Sequence, residues 1–241
     1  MYSRAYSLLM FPISNLRGPI NAVAFPALSR LQNEPAAYRV YYYRITSIVA
    51  LVSMPLCAFC FVAGTPIIQI ALGSRWQGVG PVFSWLACAA FLQPVSSQRG
   101  LVLLSIGQGR KYFIQGLIAT VVTVVGIGCG LPFGIKGVAI GYSASVCLLF
   151  YPINLYCFRD TPICAMNLLK GILPPAISSL TAAVLTLLVQ SQIRFQSPWA
   201  NLALVLTAFA LSFITIVYLM PSLRMELLNI IKTLTTKPSK R

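Results

Sequence analysis

The stretch ITSIVALVSMPLCAFCFVAGTPIIQIAL, residues 45–72, carries no Asp, Glu, Lys or Arg in its 28 positions. A hydrocarbon core about 30 Å thick is crossed by roughly 20 apolar residues in a helix, so the run is long enough to span a bilayer. Its prolines, Pro55 and Pro66, would be a serious objection in a soluble helix. In a membrane they are tolerated, because neighbouring helices can satisfy the carbonyls that a proline leaves without a donor. The run therefore reads as a kinked transmembrane helix, and kinked helices suit a transporter that bends.

Six further spans follow on the same reasoning: about 6–27, interrupted by Pro12, Pro19 and Pro26, then about 81–104, 112–131, 137–157, 171–190 and 199–220. Short loops such as Gly73 to Gly78 and Pro132 to Lys136 separate them. The composition agrees, with 58% hydrophobic and 9% charged residues, where a soluble domain carries about 25% charged residues. The expected fold is all-α: a single polytopic membrane helix bundle of about seven transmembrane helices over 1–241, with a basic tail at 221–241. The start has no basic region followed by a clean apolar stretch, so no cleaved signal peptide is expected.

The net charge is +15, from 18 Lys/Arg against Glu34, Asp160 and Glu226. The basic residues lie singly in gaps between apolar runs, which points to topology-setting loops and not to nucleic acid. Alternate loops collect Arg30, Arg39, Arg44, Arg110, Lys111, Arg159, Lys170, Arg224, Lys232, Lys237, Lys240 and Arg241 on one side, twelve against four for Arg4, Arg75, Lys136 and Arg194. Cytoplasmic loops are the Lys/Arg-rich ones, so the C-terminus is expected in the cytoplasm.

Arg17 and Arg99 belong to no loop. An arginine at the centre of a span costs about 2.5–3.5 kcal/mol to insert, so such residues face a bundle interior or an aqueous cavity. Arg17 lies in the polar patch Ser14-Asn15-Leu16-Arg17, and Arg99 follows Gln98 in Gln93-Pro94-Val95-Ser96-Ser97-Gln98-Arg99. No acid lies within any span, so a cavity lined by these cations would suit an anionic substrate such as a lipid-linked phosphate. Arg17, Arg99, Gln98 and Asn15 are the candidate cavity residues, and snorkelling to the nearby boundary is the alternative for Arg99.

Ala36 to Arg44 reads as a short interfacial helix after a break at Glu34-Pro35, with Tyr38, Arg39, Tyr41, Tyr42, Tyr43 and Arg44 at headgroup level, in contact with membrane lipids. The seven cysteines include Cys57-Ala58-Phe59-Cys60, but without His or a second pair neither a metal site nor another cofactor is expected. Gly126-Ile127-Gly128-Cys129-Gly130 lies within a span, where small residues serve close helix packing. With no His, no paired carboxylates and no nucleophile elbow, the chain does not read as an enzyme.

Several runs carry a family likeness: Tyr2-Ser3-Arg4-Ala5-Tyr6, Phe25-Pro26-Ala27-Leu28-Ser29-Arg30-Leu31-Gln32, Leu72-Gly73-Ser74-Arg75-Trp76, Ser105-Ile106-Gly107-Gln108-Gly109-Arg110, and Leu131 to Ala139. Their order over about residues 2–140 resembles the polysaccharide transporter (Wzx-type flippase) branch of the multidrug/oligosaccharidyl-lipid/polysaccharide exporter superfamily. The region after 160 is similar only in hydropathy. The resemblance implies two helical lobes around a central cavity, and movement of lipid-linked oligosaccharides across a bacterial inner membrane by alternating access. It places this chain in most of the second lobe, starting at about that lobe's second helix. It also implies a first-lobe half, or polysaccharide assembly proteins, as partners.

Overall fold

Proline and glycine set where the helices of this chain begin, bend and end. The computed structural model describes residues 2–193, 195, 197–220, 223 and 224, with the backbone alone at 2–5, 12, 16, 17, 74 and 77. Of the expected tail, only Leu223 and Arg224 fall among the described residues. The helices are α1 (Tyr2–Arg30), α2 (Pro35–Val62), α3 (Gly64–Leu72), α4 (Gly80–Ser97), α5 (Arg99–Ser105), α6 (Gly109–Gly130), α7 (Gly134–Phe158), α8 (Ala165–Gln192) and α9 (Pro198–Leu219). Short 3-10 turns at Ser74–Val79 and Leu131–Phe133 join α3 to α4 and α6 to α7. No strand occurs among the described residues, so the fold is the all-α bundle the sequence predicts.

Four runs are long and apolar enough to cross a membrane: Pro35–Val62, Gly109–Phe158, Ala165–Gln192 and Pro198–Leu219. The second of these, 50 residues long, is the α6–α7 hairpin. Phe113, Leu117, Val121 and Val124 on α6, and Leu206, Leu211 and Ile214 on α9, are all exposed. Apolar faces of this extent are excluded from water in a monomeric soluble protein and fit contact with lipid.

The chain does break before Pro35, which occupies the first turn of α2 where its missing N–H is no loss. Beyond that break there is no separate interfacial helix. No Gly or Pro occurs between Pro35 and Pro55, so residues 36–44 simply open the 28-residue α2. Farther along, Pro66 cannot donate to the carbonyl of Val62, and α2 gives way to α3 at Ala63.

Helix α2 runs along the interior, packed on α4 and α8, while α1 packs on α4 and α5, α7 on α4 and α6, and α9 on α8 and α3. Neighbouring side chains supply donors where the kinks remove them. Pro94 leaves the carbonyl of Ala90 without its helical N–H, and Cys57 Sγ donates to that oxygen at 3.3 Å. Pro175 does the same to Gly171, whose carbonyl accepts from Ser47 Oγ at 3.4 Å. Beside the α2–α3 break, Ser84 Oγ donates to the carbonyl of Phe61 at 2.8 Å. Cys57 and Cys60 are buried free thiols, so the CxxC spacing belongs to the packing of α2 on α4.

The α6–α7 hairpin closes through glycine. Gly130 faces Gly137 and Gly126 faces Gly141 so closely that a Cβ at Gly126 would stand 2.8 Å from the carbonyl oxygen of Gly141. Gly128, on another face of α6, has nothing within 4 Å.

Polar contacts tie together the loops at one end of the bundle. Tyr38 Oη and Ser105 Oγ lie 2.7 Å apart, Gln108 Nε2 donates to the carbonyl of Asp160 at 3.2 Å, and Lys111 pairs with the Asp160 carboxylate. Residues 28–44, 105–111 and 158–170, three of the basic segments expected to share a side, therefore meet at one end. At the opposite end Val79 and Ala139 share a core cluster, close to Arg75 and Lys136 in sequence.

Candidate functional site

Helix α4 is bent by Pro94, and the chain turns at Gln98 before α5 resumes. Gln98 N–H reaches back to the carbonyl of Val95 at 3.1 Å, and Ser97 Oγ to that of Pro94 at 2.6 Å. This tightened turn carries Gln98 and Arg99 into the interior, toward the end of the bundle where Ser105 meets Tyr38. Gln98 is fully buried, and neither atom of its amide has a hydrogen-bond partner. Arg99 is 9% exposed, with Nε and Nη1 buried and unpartnered.

Arg99 lies on a cavity of about 300 Å³ with three walls. The α4–α5 turn gives Gln93, Ser96, Ser97 and Arg99; α6 gives Tyr112, Gln115 and Thr123; and α7 closes it with Phe150 and Ile153. Gly100 lets the α6 wall approach, since a Cβ there would stand 3.1 Å from the Tyr112 ring. The cavity is thus neutral and polar apart from one cation. Among the described residues the ion pair is Lys111–Asp160, which leaves no carboxylate for Arg99. Its electrostatic neighbours are Cys157 and Tyr42. A guanidinium offers five donors in a planar fork that matches phosphate or carboxylate, so an anion entering here would meet two unpartnered nitrogens, Nε and Nη1.

The other expected site residues are dispersed. Asn15 is exposed on α1 and does not line this cavity. The side chain of Arg17 lies outside the described residues, and its backbone belongs to α1. Gln98 is adjacent to Arg99 but not among the lining residues. Of the tyrosines expected at headgroup level, Tyr38 and Tyr42 are core residues, 0% and 1% exposed, packed with Leu28, Val102 and Phe158. Tyr41 and Tyr43 are half-buried, while Arg39 and Arg44 are exposed. The correction has a simple cause: positions 38, 42, 46 and 49 fall on one helical face, which turns inward along the whole of α2.

Tyr112, Gln115 and Thr123 escaped the sequence reading. Their signal was the placing of Tyr112, Gln115 and Thr123 on one helical face, with the small Ala119 between them, within an apolar span.

Residues 1–81 match the profile of a family described as polysaccharide biosynthesis protein. Across 142 residues, 58% of this chain, it is 25% identical to the lipopolysaccharide biosynthesis protein WzxC of Escherichia coli K12, covering 29% of that protein. It is 27% identical over 113 residues to the teichuronic acid biosynthesis protein TuaB of Bacillus subtilis, 47% of this chain and 23% of that protein. It is 20% identical over 125 residues to the amylovoran biosynthesis protein AmsL of Erwinia amylovora, 52% of this chain and 32% of that protein. The chain therefore spans less than a third of the length of these relatives. No solved structure matches it. The likeness read from the motifs is shown as a likeness: this all-α membrane chain is similar, over residues 1–81, to the polysaccharide biosynthesis proteins.

Proposed function

We propose that this chain forms part of an exporter that moves an anionic, lipid-linked oligosaccharide across a bacterial inner membrane by alternating access. One observation carries the reading: a buried guanidinium with no ion-paired carboxylate, on a polar cavity walled on two sides by the apolar α6–α7 hairpin. Arg99 would hold the phosphate that links lipid to sugar. The amide and hydroxyl groups of Gln93, Gln115, Ser96 and Thr123 would meet sugar hydroxyls. The relatives' roles in lipopolysaccharide, teichuronic acid and amylovoran biosynthesis support a polysaccharide precursor as the cargo. The C-terminus faces the cytoplasm in this reading, and a first-lobe polypeptide completes the pathway.

The test is complementation of a flippase-null strain, scored for surface polysaccharide, with the chain expressed alone and beside a first-lobe partner. In whichever arm restores export, Arg99→Gln lowers it at least tenfold at equal membrane abundance. Undiminished export by that variant refutes the role of Arg99. Absence of rescue in both arms, with the chain in the membrane, refutes the export reading. It favours instead a transport-incompetent membrane segment, the second reading, which rests on the small share of each relative that the chain covers.

A further inference from the structure

The end of the bundle that carries Arg39 and Arg159 holds a second cavity, of about 480 Å³, between the start of α2, the end of α7 and the start of α8. Its two sides differ in chemistry. Arg39 and Arg159 on its rim are exposed, and neither makes an ion pair among the described residues. Lys170 adds to the same field, since its charge and that of Arg39 both act on Cys164 in the cavity wall.

The other side is apolar, made by Leu155, Phe158 and Ile163. Leu155 is 47% exposed and continues a stripe with Leu148 and Tyr151 along the outer face of α7. The cavity therefore opens onto the lipid-facing flank of the helix. Its shape is fixed by Tyr43, whose hydroxyl accepts from the N–H of Cys164 at 2.8 Å and donates to the carbonyl of that residue at 3.2 Å.

We propose that this cavity binds the headgroup of an anionic phospholipid from the leaflet at this end of the bundle. A phosphodiester between Arg39 and Arg159 meets donors outside any ion pair among the described residues, since Asp160, whose charge Arg159 also feels, is paired with Lys111; its acyl chains lie along Leu155, Tyr151 and Leu148. A free phosphate would satisfy the cations but leave the apolar wall bare. A zwitterionic lipid would bring its own cation into a field set by three others. Charge complementarity and the open lipid-side wall together select the anionic phospholipid.

The experiment is native mass spectrometry of the delipidated full chain in detergent, titrated with phosphatidylglycerol, with phosphatidylcholine, or with phosphatidylglycerol in the presence of inorganic phosphate. Phosphatidylglycerol is expected to bind in preference to phosphatidylcholine and to withstand millimolar phosphate. From the usual attraction of a surface Lys or Arg for anionic lipid, Arg39→Gln or Arg159→Gln weakens binding roughly fivefold and the double variant roughly 30-fold. Arg75→Gln with Lys136→Gln, at the opposite end, leaves it unchanged.

Wild-type affinity in the double variant, or equal binding of phosphatidylcholine, overturns the proposal. Displacement by phosphate shows a free-anion site and overturns it as well. Should the double variant fail to fold, thiol modification of the wild-type chain in vesicles decides the matter. With phosphatidylglycerol present, modification of Cys164 by an uncharged maleimide slows about threefold relative to its rate in phosphatidylcholine vesicles, by occlusion of the cavity. An unchanged rate overturns the site.

Discussion

Replacing Gly141 by Ala puts a methyl group against backbone, and the cost can be worked from the geometry. A Cβ at Gly141 would stand 2.9 Å from the carbonyl carbon of Gly126 and closer still to its oxygen, where 3.4–4 Å is ordinary contact. Backbone atoms cannot rotate aside as a side chain can, so α6 and α7 must part by about half an ångström or more, losing contacts along the hairpin. Overpacking of this kind costs about 1–3 kcal/mol. Against it stands the better helix propensity of Ala, about 1 kcal/mol relative to Gly.

Gly128→Ala is the matched control, because it gains the same propensity on α6 with nothing within 4 Å of the new methyl. The difference between the two variants is therefore about 1–3 kcal/mol, or roughly 5- to 150-fold in the unfolding equilibrium constant. Reversible unfolding of the purified chain in mixed micelles, followed by circular dichroism, measures it. Gly141→Ala as stable as Gly128→Ala would refute glycine-mediated closure of the hairpin.

Three further outcomes are expected. Tyr38→Phe removes the hydroxyl that meets Ser105 Oγ, 67 residues away in sequence. Ser105 keeps its bond to the Val102 carbonyl, so the loss is about 1 kcal/mol in the same unfolding assay, and no change contradicts the contact. The hydrogen bond and charge of Lys111 hold the Asp160 carboxyl below the usual carboxylate range. Stability from this pair is present above the ordinary Asp pKa, about 3.9, and is lost as pH falls through the depressed value; Asp160→Asn abolishes that acid-side slope, and an unaltered slope rules the pair out as its source. The backbone N–H groups of Asn167 and Met166 hold the Cys164 thiol below its ordinary pKa. A water-soluble maleimide at pH 7 then modifies Cys164 before the buried Cys57, Cys60 and Cys157, and peptide mass spectrometry showing the reverse order would contradict the placement of α8.

The long apolar runs made helices legible where a bilayer's length is met on sight, as at 199–220, whereas 45–72 is divided at Ala63 between the end of α2 and α3. Proline positions were equally legible, and the partners that rescue them were not. Nothing in the order of residues says that Cys57 would meet Ala90 or Ser47 would meet Gly171. The glycine run at 126–130 pointed to close packing, but only the fold separates Gly126 and Gly130, which face α7, from Gly128, which does not. The tyrosines misled for a physical reason: tyrosine next to arginine suits a headgroup layer and the wet end of a helical core equally well. A spacing of four between Tyr38 and Tyr42, continued by Thr46, favoured the core. At the candidate site, the missing acids made Arg99 conspicuous, whereas the polar face of α6 was diluted by the apolar residues between its members.

The thiol of Cys57 and the ring of Pro94 are two halves of one arrangement, the donor on α2 standing in for the N–H that α4 lacks. Their tolerances to change are therefore not independent. With Pro94 in place, Cys57→Ala strands a buried carbonyl. With Ala at position 94 the helix supplies its own N–H, and the thiol becomes dispensable. Ser47 and Pro175 stand in the same relation across α2 and α8. Each pair should be kept or lost together as such chains diverge, so that a proline vanishing from one helix predicts a relaxed position on another, more than thirty residues away in the first case and more than a hundred in the second.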